Sequence, residues 1–502
     1  MHTVLLAGFP GSSTESNNVL AHKAEEKDRL TTLTDDVLLH ILGRVDLATA
    51  ARTSTLSKQW RNLPWLLPEL NLHVTDFLCP DDHVEVAQQM DQAMASLTKA
   101  TKSFLAQPHL TYDTVARLSL KLYMTGNYNY KYDIGLLVSD AIDNGMVKEL
   151  DLAILDKKEY CKIKDKLQRA RDVEGFFSEY PSMIRCLARL HLQNVCFAEW
   201  DISHLLFDCC KQLQHLSLDN CDAGKWSIWQ IHAPNSNIRI LEFRVTWMKR
   251  LEVLCLPKLE RLHFKNWLYH EPPLSFGSVS SLKELLLLCP ATIDHRDFSL
   301  SQVLCGATNL HTLTLNFQGE KLWIQPEGKQ LCTAFNMLKK LCIHGIYVEF
   351  DLLWTINLLE AATSVEIFDV EIYEHQCQEG ERRVRYYGAQ REKPSWKASG
   401  FTVCNNRRLK ELRFAGFRPL LESHMLFVRA MMDHAPHLET VLLTDGEASC
   451  ENCDAVVPRP PRTGGLFPRD RAEQETVARQ LRSRACAAAK IVFSTRYSTV
   501  VL

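Results

Sequence analysis

The chain has 502 residues, 46% of them hydrophobic, and a formal net charge of −2. That is ample apolar material for a large core, and no global basic field exists to condense onto nucleic acid or an anionic membrane. The 17 cysteines are scattered, several inside apolar runs (Cys255, Cys289, Cys342), so they read as buried thiols of a reducing compartment and not as a disulfide scaffold. Apolar runs fall far short of the ~20 residues of a membrane span, and the short apolar stretch at 4–10 lacks the basic lead of a signal peptide. Residues 1–27 are expected to form a disordered leader, and the chain is placed in the cytoplasm, the nucleus or both.

Residues 28–65 read as a cluster of short helices. Thr34 with Asp35 and Asp36 puts an oxygen cap and two carboxylates where a helix begins, satisfying free backbone N–H groups and complementing the positive helix end. Val37, Leu38, Ile41 and Leu42 recur at helical spacing as one apolar stripe, and Gly43 can end the helix. A second apolar set runs through Leu47, Ala50, Ala51, Ser54 and Leu56, and a third through Trp60 and Leu63 to a stop at Pro64. Three short helices cannot hide all their apolar faces on one another, so some of that surface must meet a partner or the next domain.

The same segment resembles an F-box, the helical module that plugs a protein into a ubiquitin ligase. Leu33, Asp36, Leu38, Ile41, Leu42, Leu47, Arg52, Ser54, Ser57 and Trp60 fall on the family pattern, and Thr34 stands where the family usually has proline. The resemblance implies an F-box over residues 28–70. Its adaptor-binding residues would be Leu33, Asp36, Val37, Leu38, Ile41, Leu42, Leu47, Ala51, Ser57, Trp60 and Leu63. The implied partners are a Skp-type adaptor and, through it, cullin and RING subunits. The continuation over residues 61–70 is similar to the large plant F-box and leucine-rich-repeat group.

Val86, Met90, Met94, Leu97 and Phe104 give residues 84–106 one apolar helical side, expected as a linker helix within 71–110. Over residues 111–372 a Leu-x-x-Leu-x-Leu unit recurs. It appears at Leu187/Leu190/Leu192, Leu213/Leu216/Leu218, Leu259/Leu262/Phe264, Leu282/Leu285/Leu287, Leu310/Leu313/Leu315 and Leu338/Leu341/Ile343. Weaker copies stand at Val147/Leu150/Leu152, Ile238/Leu241/Phe243 and Val365/Phe368/Val370. The spacing, mostly about 21 to 28 residues, is that of leucine-rich repeats and excludes a coiled coil. Each short strand points alternate leucines inward, and a helix or irregular turn brings the chain back one layer further on. Asn194, Asn220 and Asn266 follow their strands at or near the ladder position, where a side-chain amide can satisfy backbone groups in the turn.

Residues 373–400 turn polar and read as an exposed insertion loop. Arg382, Arg383, Arg385, Tyr386 and Tyr387 set cations beside aromatics, but the neighbouring glutamates leave no continuous phosphate track, and neither a nucleic-acid nor a membrane partner is expected. The strand pattern resumes at Leu409/Leu412/Phe414 and Leu438/Val441/Leu443, with Leu426, Met431 and Ala435 lining an intervening helix that Pro436 ends. Residues 401–502 resemble the FBD tail of plant F-box proteins. A surface loop at 457–465, a helix over 469–482 and a strand over 490–494 would close the open end of the array.

Catalytic chemistry finds no foothold. Cys450 and Cys453 form the one Cys-x-x-Cys pair; a zinc site normally takes four ligands and no second pair stands at ligand spacing, so no metal site is expected. His434 and His437 read as structural, and Cys209 and Cys210 as packing. No cysteine carries a nucleophile's local context and no Gly-rich phosphate loop is present, so neither catalytic nor cofactor-binding residues are assigned. The expected fold is α/β: a three-helix F-box, an irregular leucine-rich-repeat solenoid with parallel strands on its concave face, and a C-terminal capping αβ segment. The function implied by the resemblance is a non-catalytic substrate-recognition subunit of an SCF-type ubiquitin ligase, whose repeats bind an unidentified target protein. A non-ligase leucine-rich-repeat scaffold and a small-molecule co-receptor using the concave face are the alternatives.

Overall fold

The structure is a computed structural model that describes residues 33–78, 85–105, 115–124, 130–156, 161–224, 227–325, 327–373, 387, 391, 407–445, 467–482, 489–494 and 499–501. The chain divides into two compact units, residues 1–67 and 68–502. The expected leader, the Cys450/Cys453 pair, the loop at 457–465 and nearly all of the 373–400 insertion lie outside the described residues.

In the first unit, the helix Asp35–Leu42 carries Asp35 and Asp36 in its first turn. Thr34 has the extended backbone of a cap, but its hydroxyl makes no capping bond, and Gly43 stays right-handed at φ −66°. The working cap is Asp46, whose Oδ1 accepts from the Thr49 N–H at 2.8 Å and opens the helix Leu47–Thr53. The expected third helix is a run of turns followed by the 3-10 segment Leu63–Leu66. Pro64 sits at the start of that segment and does not stop a helix, because its missing N–H falls where the first turn leaves N–H groups unpaired anyway. Leu38, Leu42, Ala50, Trp60, Leu63 and Leu67 form the core, with Leu33, Leu39 and Leu66 partly buried against it.

The second unit is built on a 15-stranded sheet. Its strands pair in parallel up to Lys490–Ser494, and the closing strand Thr499–Val501 is antiparallel. The inward pairs stack in register, Leu216 beside Leu241 and Leu313 beside Leu341. Every one of them, from Leu150/Leu152 to Ile491/Phe493, is at most 2% exposed. The sheet starts earlier than residue 111: Glu69–His73 is already its first strand and pairs with Val115–Tyr123. Both strands carry the same repeat signature, Leu67/Leu70/Leu72 and Val115/Leu118/Leu120. The helix Val86–Leu105 packs on the strand Glu69–His73 and the helix Tyr130–Asp143, within this unit. It buries Ala93, Met94, Leu97, Thr101 and Leu105 and leaves Val86 exposed.

Return legs change with repeat length. Where Leu216, Leu241, Leu262 and Leu285 set the shortest repeats, the chain returns through strands, Ile228–His232, Arg250–Cys255 and Leu274–Ser278, which make a second parallel sheet of three. An extended residue advances about 3.3 Å and a helical one about 1.5 Å, so a short repeat can cross back only when extended. Longer repeats return through helices such as Ile163–Glu179, Thr355–Ala361 and Glu422–His434. In the last of these Met431 is buried and Ala435 follows it into the core, whereas Leu426, expected to line the same side, is exposed; Met425, Val428 and Met432 complete the inward face.

Two residues beyond the inward pair the backbone often turns left-handed, at the end of a strand or at a kink within one. Asn194 (φ 58°), Asn220 (φ 51°), Asn266 (φ 56°), Gly345 (φ 67°) and Gly416 (φ 79°) occupy that position. Asn and Gly are the residues that tolerate this region. At Gly345 a side chain would also meet the Gln318 backbone nitrogen at 2.5 Å. Val245 holds the same place at φ 55°, where a β-branched side chain is strained.

Two outcomes follow for stability, read from denaturant melts of the full chain. Val245→Asn should raise the stability of the repeat unit by about 1 kcal/mol, the lower end of the left-handed penalty; an unchanged or lower midpoint would show that Val245 carries no such strain. Leu313→Ala should cost about 2–5 kcal/mol, and wild-type stability would remove its strand from the shared core.

Candidate functional site

The residues expected at an adaptor surface divide into three groups. Leu38, Leu42, Trp60 and Leu63 face the core of the first unit. Val37 and Ile41 are 44% and 37% exposed, one helical turn apart on Asp35–Leu42, and Asp36 is exposed beside them. Leu33, Leu47, Ala51 and Ser57 are half-buried. The stripe read as one apolar side is thus two: at 100° per residue, positions 38 and 42 turn inward while 37 and 41 turn out. Two further apolar side chains are exposed, Val45 and Leu56, the latter a member of the second apolar set. Gln59 straps the unit by donating to the Leu33 carbonyl at 3.2 Å and to Asp35 Oδ1 at 3.1 Å.

On the sheet of the second unit, the residues between the inward pairs form an outer face crossed by charge. Arg117 bridges the first three strands, 2.7 Å from Glu149, 3.8 Å from Asp151 and 3.9 Å from Glu69. Further along, Glu242 lies 3.2 Å from His215 Nε2 and 3.4 Å from His263 Nδ1, and His263 Nε2 lies 3.0 Å from Glu284. Hydrogen bonds from His215 and His263 hold the Glu242 carboxyl far below the usual range, and the Glu242 and Glu284 carboxylates raise His263. On Lys340–Tyr347 and Ile367–Tyr373, Cys342, His344 and Asp369 converge, with one donor atom of each within 4.8 Å of the others. Burial opposes a charge on His344, but Asp369 and Cys342 outweigh it and push the imidazole up to about 10.

A buried polar network anchors the helix Ile163–Glu179 to the ladder turns. Lys166 Nζ donates to the Asn220 carbonyl (2.7 Å) and to Asn220 Oδ1 (2.8 Å), and pairs with Asp222 at 3.5 Å. Arg169 pairs with Asp156, which also accepts from Asn194 Nδ2 at 2.8 Å. Asn220 Nδ2 in turn donates to Asn194 Oδ1, so these two asparagines bond side chain to side chain along the stack as well as occupying the left-handed turn. A shallow pocket is lined by Gln212, Gln214, Asn237 and Arg239, without the hydrophobic and aromatic side chains typical of small-molecule sites.

The chain matches the family described as At1g61320/AtMIF1, LRR domain, over residues 178–456, more than half its length. It matches the F-box domain over residues 30–64. The chain belongs to the plant F-box/leucine-rich-repeat family. In Arabidopsis thaliana it is similar to the FBD-associated F-box protein At3g52670, 24% identical over 53% of this chain and 57% of that one. It is similar to the F-box/LRR-repeat protein At4g14103, 25% identical over 64% and 85%, and to the F-box/FBD/LRR-repeat protein At5g56420, 26% identical over 42% and 47%. The chain thus spans about half the length of the first and third of these curated relatives.

In this F-box/leucine-rich-repeat protein several of the described thiols are poorly disposed to nucleophilic work. Burial pushes Cys196, Cys210 and Cys221 up to about 12 and Cys161 up to about 11. Cys289 Sγ lies 4.0 Å from His295 Nε2. Both are buried, however, and burial drives the thiol well up and the imidazole down to about 4, against the thiolate–imidazolium pair a cysteine hydrolase uses. Among the described residues, no helix is long and apolar enough to cross a membrane.

The His263–Glu242 pair gives a pH-dependent contribution with a definite sign. His263 is raised from 6.5, so its stabilisation is full below about that pH and lost as pH rises through the higher folded value. Glu242 is lowered from 4.5, so its contribution is present above that pH and fades as acid protonates it. Glu242→Gln should therefore cost most between those two values, about 0.5–1 kcal/mol for a partly exposed pair. Thermal melts of both proteins across that range check it; a gap that grows steadily from pH 6.5 to 9 would contradict the pairing.

Proposed function

We propose that the protein is a non-catalytic substrate receptor of an SCF-type ubiquitin ligase. In this reading the F-box holds a Skp-type adaptor, and through it cullin and RING subunits, while the outer sheet face and the adjoining turns hold a target protein. The carrying observation is the division of the F-box stripe. Its own core is filled by Leu38, Leu42, Ala50, Trp60, Leu63 and Leu67, yet Val37, Ile41, Val45 and Leu56 remain exposed. Such a surface is what a partner groove would cover. Two family matches, F-box and leucine-rich repeat, support the same assignment. The contribution to rate is tethering: target lysines are kept at high effective concentration beside the charged ubiquitin carrier, and this chain needs no reactive group of its own.

The test separates docking residues from folding residues. Val37→Asp combined with Ile41→Asp should weaken capture of a recombinant Skp-type adaptor by roughly 100-fold or more, since burying each such side chain is worth about 1.5–3 kcal/mol. The F-box should stay folded by circular dichroism. Leu38→Ala should instead cost about 2–5 kcal/mol of folding stability. Undiminished capture by the double variant moves the docking surface elsewhere. No capture by the wild-type chain rejects the ligase reading in favour of an interaction scaffold.

A further inference from the structure

The outer sheet face carries a constellation that neither the family matches nor the ligase reading uses. Cys342 and Asp369 are register partners on neighbouring parallel strands, and His344 follows Cys342 by two residues on the same face. One donor atom from each, a thiol sulfur, a ring nitrogen and a carboxylate oxygen, lies within 4.8 Å of the other two. His344 Nε2 and Asp369 Oδ1 are 3.5 Å apart. Donors that share one tetrahedral zinc at about 2.0–2.3 Å sit about 3.3–3.8 Å from each other, so a small closure completes the set.

Four further observations fit a metal centre better than a plain charge cluster. His344 Nε2 is buried, and its contact with Asp369 Oδ1 at 3.5 Å is too long for a well-formed hydrogen bond. Its other ring nitrogen, Nδ1, lies 3.7 Å from Glu371 Oε2, the carboxylate-behind-histidine arrangement that orients imidazole ligands. The second oxygen of Asp369, Oδ2, is 3.5 Å from Lys340 Nζ, which leaves Oδ1 directed at His344. Cys342 is only 3% exposed, so its sulfur is held among neighbouring strands.

We propose that Cys342, His344 and Asp369 bind one divalent transition-metal ion, with zinc as the best match to a sulfur–nitrogen–oxygen donor set. Glu371 and Lys340 act as positioning residues for His344 and Asp369. Three protein ligands leave one position open at the outer face, where water or a donor from a bound protein completes the shell. The donors come from two strands, so no Cys-x-x-Cys or His-x-x-His spacing announces them in the sequence.

Cobalt(II) is the probe, added to the chelator-treated full-length protein. The wild type should take up one equivalent with a thiolate-to-cobalt charge-transfer band and visible bands of tetrahedral intensity, and zinc should displace it. Cys342→Ser should abolish the charge-transfer band, and His344→Ala should abolish tight binding. Glu371→Gln should weaken it by about tenfold, the lower range for lost outer-shell support. Cys450→Ser with Cys453→Ser should leave the signal intact. Melting curves matching wild type keep the metal-free variants comparable. No stoichiometric band in the wild type, a band that survives Cys342→Ser, or one that disappears with the Cys450 and Cys453 changes overturns the proposal.

Discussion

No repeat in this chain can bury its own leucines, and the second unit is arranged around that constraint. A strand of five to nine residues such as Leu187–Gln193 or Val147–Leu155 buries only two to four side chains, and only the next repeat in register can cover their flanks. Parallel pairing supplies that register, so Leu216, Leu241 and Leu262 fall in one row. The same requirement reaches the backbone. A chain that bends sharply after an inward pair needs a turn there, whether it ends the strand or kinks it, and Asn194, Asn220, Asn266, Gly345 and Gly416 meet it left-handed. Val245 pays for the same turn with strain.

The polar interior follows from this geometry. Ladder turns expose carbonyls and amides on the buried side of the stack, and the array answers with side chains. Asn220 Oδ1 and its carbonyl receive Lys166 Nζ, and Asp156 receives both Arg169 and Asn194. Buried ion pairs add little net stability against apolar replacements, yet breaking one partner strands a charge. Lys166 and Arg169 are thus placed to fix which way the long helix Ile163–Glu179 lies on the stack, and their energetic value rests on that specificity.

Much of this was legible in the sequence because the hydrophobic period and the fold period coincide. Each written Leu-x-x-Leu-x-Leu unit is a buried strand, including the weaker copy at Val365/Phe368/Val370. What escaped did so for physical reasons. The strand Glu69–His73 carries the pattern but straddles the expected bound between the F-box at 28–70 and the linker at 71–110. The second sheet leaves no leucine signature, because Ile228–His232 and Leu274–Ser278 are set by how few residues the repeat has to return in. On the helix Asp35–Leu42, Val37, Leu38, Ile41 and Leu42 read as one apolar stripe, and composition could not separate the two that fold the module from the two that lie exposed.

That last ambiguity has a counterpart on the sheet, and it bears on where function can reside. Inward positions are spoken for by the core; Leu341 and Ile343 have no freedom to be anything else. Outward positions on the same strand, Lys340, Cys342 and His344, answer only to their neighbours across the sheet. In a parallel stack those neighbours lie about 4.8 Å away while being a whole repeat distant in sequence. Any two adjacent repeats can therefore assemble a donor set, an ion pair or a recognition patch without disturbing the fold. Cys342 with Asp369, Glu242 with His263, and Arg117 with Glu149 are three uses of the same freedom. A linear motif search sees none of them, because the spacing that matters is between strands, not along one.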